Sequence, residues 1–121
     1  MMGYWPMANK KPPPRRETTP AHCRMMARRD LDEVVSIERL AFEFPWTEED
    51  FKGWLSGRNC IGMVAERGEL VVGFMVYELH KDSLSLLNLA VAADFVRRGV
   101  GRALMDKLKS KLGVRRKYVS C

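Results

Sequence analysis

Hydrophobic residues recur along this chain with two periods, and the switch between them marks out its elements. From residue 60 to residue 91 the apolar positions come in runs of the length a sheet core uses, broken by short polar turns. Cys60–Glu66 predicts a strand, Arg67-Gly68-Glu69 a hairpin turn built on glycine, and Leu70–Leu79 a second strand. After a turn at Lys81-Asp82-Ser83, Ser83–Val91 predicts a third. Strands joined by turns this tight form an antiparallel meander. Gly73, inside the second strand, predicts a bulge or a close packing contact. The period then changes. Val100, Leu104, Leu108 and Leu112 fall at four-residue spacing, one apolar stripe of a helix from Gly99 to Leu112 that Gly113 ends. Arg115 to Cys121 begins a further strand.

Upstream of the meander, His22 to Met26 alternates weakly and predicts a first strand. Asp30-Leu31-Asp32-Glu33 opens a helix with acids placed well for its dipole. Leu31, Val34, Val35, Ala41 and Phe42 share its apolar face; Glu38, one heptad after Leu31, either snorkels at the edge of that face or points into a substrate groove, and the edge is the expectation. Pro45 pushes Phe44 to an extended conformation and ends the helix within Phe42-Glu43-Phe44-Pro45-Trp46. Thr47 caps a second short helix with Asp50 at its third position, a shorter relative of the capping box. Phe51, Trp54 and Leu55 form the apolar side of that helix, and Ser56-Gly57 ends it. Two readings fit the aromatic, proline-broken loop between the helices: a peptide-binding lip at Phe44, Pro45 and Trp46, or a hydrophobic plug over the end of a sheet. Residues 1–21 are rich in Pro, Lys, Arg and Thr and have no hydrophobic period. They read as a flexible basic tail before a domain at 22–121.

Composition adds class and charge. At 121 residues and 46% hydrophobic, the chain is one small globular domain. No run approaches the length of a membrane helix, and the N-terminus reads Pro12-Pro13-Pro14-Arg15-Arg16 in place of a secretory signal. Cys23, Cys60 and Cys121 are an odd number without a Cys-x-x-Cys pair, which argues against zinc and against a disulfide framework and favours the reduced cytoplasm. His22 and His80 show no ligand spacing, so no metal is expected. The net charge of +6 hides a division: residues 1–29 carry +6, residues 30–94 carry −8 and residues 95–121 carry +8. A basic end suits an anionic cofactor, and an acidic middle suits a cationic substrate.

The stretch that joins the third strand to its helix carries the chemistry. Arg97-Arg98-Gly99-Val100-Gly101-Arg102 places two glycines and three arginines at a helix start. Glycine lets a ligand approach the backbone, and the first helical turn offers unpaired N–H groups at the positive end of the dipole. That is a phosphate cradle, or else an ordinary strand–loop–helix corner with solvated arginines. It is neither a mononucleotide P-loop nor the dinucleotide fingerprint, because the Gly-Lys-Ser/Thr ending and the third glycine are missing.

Leu89-Ala90-Val91 followed by Arg97 to Arg102 and Ala103-Leu104 resembles the acetyl-CoA-binding motif of the GNAT N-acetyltransferases, Gln/Arg-x-x-Gly-x-Gly/Ala after a strand ending in Ala-Val. One departure stands out: Val96 takes the Gln/Arg place and cannot donate a hydrogen bond. Ile37-Glu38, Phe42 to Trp46 and Asn88 to Val91 carry a nearer likeness, to the bacterial ribosomal-protein alanine N-acetyltransferases.

The resemblance implies an α+β GNAT fold, a mixed central sheet with helices on both faces, here lacking its last strands and helix. It implies acetyl-CoA as acetyl donor, with the pantetheine arm along Leu89, Ala90 and Val91. It also implies the pyrophosphate on Arg97, Arg98, Gly99, Val100, Gly101 and Arg102. A cationic protein or peptide N-terminus, such as that of a ribosomal protein, would be the acceptor. A glutamate on the strand after the cofactor helix serves such enzymes as base and a later tyrosine as acid. By register the glutamate's place here is Ser120, and the tyrosine would lie beyond Cys121, so catalytic residues stay unassigned. Glu78 and His80 lie on a strand away from the cleft and are not expected to stand in. Two other readings remain: an acetyl-CoA-binding fragment without turnover, and a basic ribosome- or RNA-associated module that uses the tail.

Overall fold

The computed structural model describes residues 21–112 and the strand at residues 118–120. The strands are β1 (His22–Met25), β2 (Cys60–Arg67), β3 (Leu70–Leu79), β4 (Ser83–Val91) and β5 (Tyr118–Ser120). The helices are α1 (Leu31–Ala41), α2 (Glu48–Leu55) and α3 (Val100–Lys109), with single turns of 3-10 helix at Arg28–Asp30 and Ala93–Phe95. The basic tail expected at 1–21 lies outside the described residues except for Ala21, as does the helix stop expected at Gly113.

The five strands form one sheet in the order β1-β2-β3-β4-β5. β1 to β4 pair antiparallel, with Met63 opposite Met75 and Met75 opposite Leu89. β5 runs parallel to β4, pairing Tyr118, Val119 and Ser120 with Ser83, Leu84 and Ser85. The sheet is therefore mixed, as the fold class requires. Its alternating side chains feed two cores. Val34, Ile37, Phe51, Val64, Phe74 and Val76 pack together on the α1 and α2 side. Met75, Tyr77, Leu84, Val100, Leu104 and Leu108 pack together on the α3 side.

Gly73 does both things its sequence context predicts. The β2–β3 register slips between Ala65 and Glu66, leaving Val72 as an extra residue. A Cβ at Gly73 would stand 3.0 Å from Val100 Cγ1, 3.1 Å from the Ala90 carbonyl and 3.3 Å from Leu104 Cδ1. Its absence is what lets α3 settle onto the sheet.

Before α1 the chain makes an ion pair that has no local sequence signal. Arg24 on β1 grips Asp30 with its two terminal guanidinium nitrogens, at 2.8 and 2.9 Å. The Ala27 N–H donates to Asp30 Oδ2 at 2.7 Å, and Arg24 Nε reaches Glu66 Oε2 at 3.1 Å. Asp30 is 3% exposed. The Arg24 hydrogen bonds, and after them the Ala27 N–H, hold its carboxyl below the usual carboxylate range against the opposing effect of burial. A carboxylate lowered in the folded state stabilises above its unfolded pKa of about 3.9, and that stability is lost as pH falls through the lower folded value. Asp30→Asn is therefore expected to cost about 2 kcal/mol at pH 7 by urea denaturation, with a smaller difference from the parent by pH 3. An equal difference at both pH values would contradict the ion pair.

The face expected for α1 needs two corrections. Its buried stripe is Leu31, Val34, Ile37 and Glu38. Ala41 is exposed and Phe42, 41% exposed, caps the helix in an extended conformation, because Pro45 has already begun to turn the chain away. Glu38 is not at an edge: it is 2% exposed. The second helix follows its prediction. The Asp50 N–H donates to Thr47 Oγ1 at 3.2 Å and the Thr47 N–H to Asp50 Oδ2 at 2.8 Å, the reciprocal cap read from sequence.

Candidate cofactor cradle and acceptor lip

β4 ends where the Ala92 N–H donates to the Val72 carbonyl at 2.8 Å. The 3-10 turn at Ala93–Phe95 follows, and two residues in the left-handed region then reverse the chain: Arg97 at φ 70° and Gly99 at φ 85°. A left-handed conformation strains a residue with a Cβ, so Gly99 fits its place and Arg97 carries the strain. Gly99 caps α3 without any side-chain hydrogen bond. The first N–H groups of α3 therefore have neither an intrahelical acceptor nor a cap. Buried Val100 anchors the helix below them.

The charge at this helix start is the reverse of what a helix prefers for its own stability. No acid lies in the first turn of α3, while Arg97, Arg98 and Arg102 stand exposed around it. Cations at a helix N-terminus oppose the macrodipole, so they contribute nothing to the helix and suit an incoming anion. Arg98 rests over the Phe95 ring, 5.8 Å from its centroid, which keeps the guanidinium beside the loop. A Cβ at Gly101 would meet only Val91 Cγ2, at 3.8 Å, leaving the backbone there open to a ligand. Val96 is 53% exposed, an apolar side chain at the mouth of the cradle.

Leu89 and Val91 send their side chains to the α3 core, and Ala90 sends its own to the α1 core. β5 pairs only with Ser83–Ser85. The edge of β4 from Leu86 to Val91 thus has no strand partner on that side among the described residues.

The lip divides between the two readings of its sequence. Trp46 is the plug: its ring meets Phe51 edge-on at 5.1 Å and stacks on Trp54 at 5.8 Å, and Phe51 continues edge-on to Phe74 of β3 at 5.5 Å. Phe44 is 84% exposed, as the lip reading requires, with Pro45 half-buried between them. A groove of about 540 Å³ separates the C-terminal half of α1, at buried Ile37 and exposed Leu40 and Ala41, from Val91, Ala92 and Val96. It runs from the residue before the cradle to the residue before the lip loop.

Glu38 connects the two regions, and the sequence reading missed this. Its Oε2 accepts the Trp46 backbone N–H at 2.9 Å, and its Oε1 accepts Asn88 Nδ2 at 2.8 Å. Asn88 faces α1 in register with Val76, and β4 bulges just before it. The β3–β4 register slips between Val76 and Tyr77, leaving Leu87 unpaired with β3. Leu87 packs on the α1 side, Asn88 bonds Glu38 on that same side, and Leu89 returns to the α3 side. An acid on a buried helical stripe and a lone amide within an apolar strand were the paired signals for this contact.

Other titratable groups lie elsewhere. Glu78 and His80 sit at the far end of β3, where Glu78 pairs with Ser85, six residues or about 20 Å along β4 from Val91. His80 Nε2 lies 2.9 Å from Ser85 Oγ. Burial pushes the Cys23 and Cys60 thiols up, away from the thiolate a nucleophile needs. Burial also raises the Tyr77 phenol, whose hydroxyl donates to Met63 Sδ at 3.9 Å. Among the described residues no group of three or more His, Cys, Asp and Glu is placed to hold a metal, and no helix is long and apolar enough to cross a membrane.

Residues 58–120, from just before β2 through β5, match the family model of the acetyltransferase (GNAT) domain. The chain belongs to the GNAT family. The [ribosomal protein bS18]-alanine N-acetyltransferase of Salmonella typhimurium is 34% identical over 86 residues, 71% of this chain and 57% of the relative. The crystal structure of the ribosomal-protein-S18-alanine N-acetyltransferase from Escherichia coli superposes with TM-score 0.69 at 27% identity, covering 75% of this chain and 58% of that one. Arabidopsis thaliana NAA60 in complex with acetyl-CoA shares the fold at TM-score 0.64 and 20% identity, over 78% of this chain and 69% of that one. The chain thus spans a little over half the length of the curated relatives it matches. The stretch that resembles the GNAT motif, Arg97 to Arg102, lies at the left-handed turn and the start of α3.

Proposed function

We propose that this chain is the acetyl-CoA-binding part of an N-acetyltransferase that transfers acetyl to the N-terminal amine of a protein, in the cytoplasm, with a ribosomal-protein N-terminal alanine as the acceptor. One observation carries the reading: the start of α3, where the left-handed Gly99, the open Gly101 and three exposed arginines meet at the end of the β4 edge that has no strand partner among the described residues. The cradle N–H groups of Gly99 to Arg102 would hold the pyrophosphate, and charge-assisted hydrogen bonds from Arg97, Arg98 and Arg102 would add to them. The backbone of Leu89, Ala90 and Val91 would bind the pantetheine arm. Phe44, Pro45 and Trp46 would form the acceptor side, with exposed Glu43, Glu48 and Glu49 drawing in a cationic peptide.

In the transfer, the neutral amine attacks the thioester carbonyl, the new C–N bond forms and the C–S bond breaks. The amine's proton leaves to a base, and the departing thiolate takes one from an acid. Free Cys23 and Cys60 suit a reducing compartment.

Mass spectrometry of a basic peptide with a free N-terminal alanine, incubated with the chain and acetyl-CoA, tests the reading. Acetylation on the α-amine, absent from a peptide with a blocked N-terminus, is the expected result. Acetyl-CoA binding without transfer would favour a donor-binding unit alone, and acetylation confined to side chains would contradict the N-terminal acceptor.

A further inference from the structure

We infer that Glu38 is a positioning residue that holds the acceptor lip in register with the strand that receives the acetyl donor. The inference rests on the acceptor-lip reading above. Glu38 is 2% exposed, yet it lies within the α1 stripe that packs on the sheet. A buried carboxylate is costly unless its oxygens are hydrogen-bonded, so its two partners identify what it is kept for. One is backbone, the Trp46 N–H at the end of the lip. The other is Asn88 Nδ2 in the β4 bulge, next to Leu89. A carboxylate only accepts, which fixes Asn88 with its amide nitrogen toward Glu38.

The bond spans 50 residues of sequence and joins the two halves of the proposed site. Without it, the lip between Phe42 and Trp46 would keep the Phe42 N–H bond to the Glu38 carbonyl at 3.1 Å and the aromatic contacts of the Trp46 ring. Those contacts hold the two ends of the loop and leave the Trp46 N–H, next to Pro45, without its acceptor. The bulge at Leu87 serves the same end. It lets Leu84 and Leu86 stay on the α3 face while Asn88, in register with Val76, faces Glu38.

The clamp therefore sets acceptor geometry and leaves donor affinity alone. The test uses the full chain and three variants: Glu38→Leu, Glu38→Gln and Asn88→Ala. Glu38→Leu fills the site without an acceptor. Glu38→Gln keeps an oxygen for the Trp46 N–H, and its amide nitrogen can donate to an Asn88 amide turned over to present Oδ1. Asn88→Ala removes the sheet-side bond alone and so bears on the inference even if Glu38→Leu does not fold.

The circular-dichroism couplet of the stacked Trp46–Trp54 pair reports lip geometry without any ligand. Calorimetric titration with acetyl-CoA, and separately with a basic peptide bearing a free N-terminal alanine, reports the two half-sites. Glu38→Leu is expected to lose the couplet and weaken the peptide about tenfold, the worth of one hydrogen bond to a charged group. Acetyl-CoA affinity should stay within about twofold, inside the change of a surface substitution. Asn88→Ala should weaken the peptide in the same direction, and Glu38→Gln should restore both couplet and peptide. The inference is overturned if Glu38→Leu and Asn88→Ala keep the parent couplet and peptide affinity, if both ligands weaken together, or if Glu38→Gln fails to rescue. A parent that binds no peptide would overturn the acceptor reading itself, while the couplet still decides the clamp.

Discussion

Phe51→Ala is expected to lower the stability of this chain by about 4 kcal/mol, within the range for emptying a buried phenylalanine site. The Phe51 side chain is fully buried. It is the middle ring of a series that starts at Trp46 in the lip and ends at Phe74 on β3. Truncation leaves a cavity walled by rings held on two other elements, Trp46 in the loop and Phe74 on β3. A strand and a proline-fixed loop cannot both move inward to fill it, so the cavity term adds to the lost transfer energy. A domain of this size has roughly 5–15 kcal/mol in total, so the loss is a large part of it. Trp54→Ala is the matched comparison. Trp54 is 42% exposed and touches the series only through its stack on Trp46, so its removal should cost about 1 kcal/mol. Urea denaturation of both variants measures this. Similar midpoints for the two would mean that the rings do not form a connected core.

Arg98→Glu combined with Gly101→Glu is expected to weaken acetyl-CoA binding by at least about 100-fold, with little change in stability. The loss is the sum of one removed charge-assisted contact and two added negative charges at the phosphate site. The fold should tolerate both changes. A Cβ at Gly101 has only Val91 Cγ2 nearby, at 3.8 Å, and replacing glycine inside a helix improves its propensity by up to about 1 kcal/mol. Arg98 is exposed and gives up only its place over Phe95. A variant with parent affinity and parent stability would mean that the start of α3 is a corner with solvated arginines. That was the competing reading of its sequence.

The elements with one dominant local cause were legible from the sequence. β3 and β4 appear at their predicted limits because continuous apolar runs between glycine or Lys-Asp-Ser turns leave little else possible. The Thr47 cap and the α3 stripe were legible for the same reason. The features that depend on two distant segments were not. Glu38 looked like an edge residue because nothing within a heptad supplies a partner, and its partner Asn88 lies 50 residues on, next to a bulge that no local pattern marks. Arg24 and Asp30 lie six residues apart, across a strand end and a 3-10 turn, so no helical or strand spacing relates them. The cradle stands between these cases. Its glycines and arginines were readable as a motif, while the left-handed Arg97 and the unpaired edge of β4 needed the fold. The loop was read as two alternatives; the Trp46 ring packs inward as a plug would, and Phe44 is exposed, as the lip reading requires.

Calorimetric titration of the full chain with acetyl-CoA tests the central claim most directly, because the cradle is the part of the site that the described residues supply. The predicted result is saturable binding with one acetyl-CoA per chain that weakens as salt rises, since arginines and a helix start would hold the phosphates. No saturable binding by a folded chain, or binding untouched by salt and by the Arg98 and Gly101 changes, would contradict it.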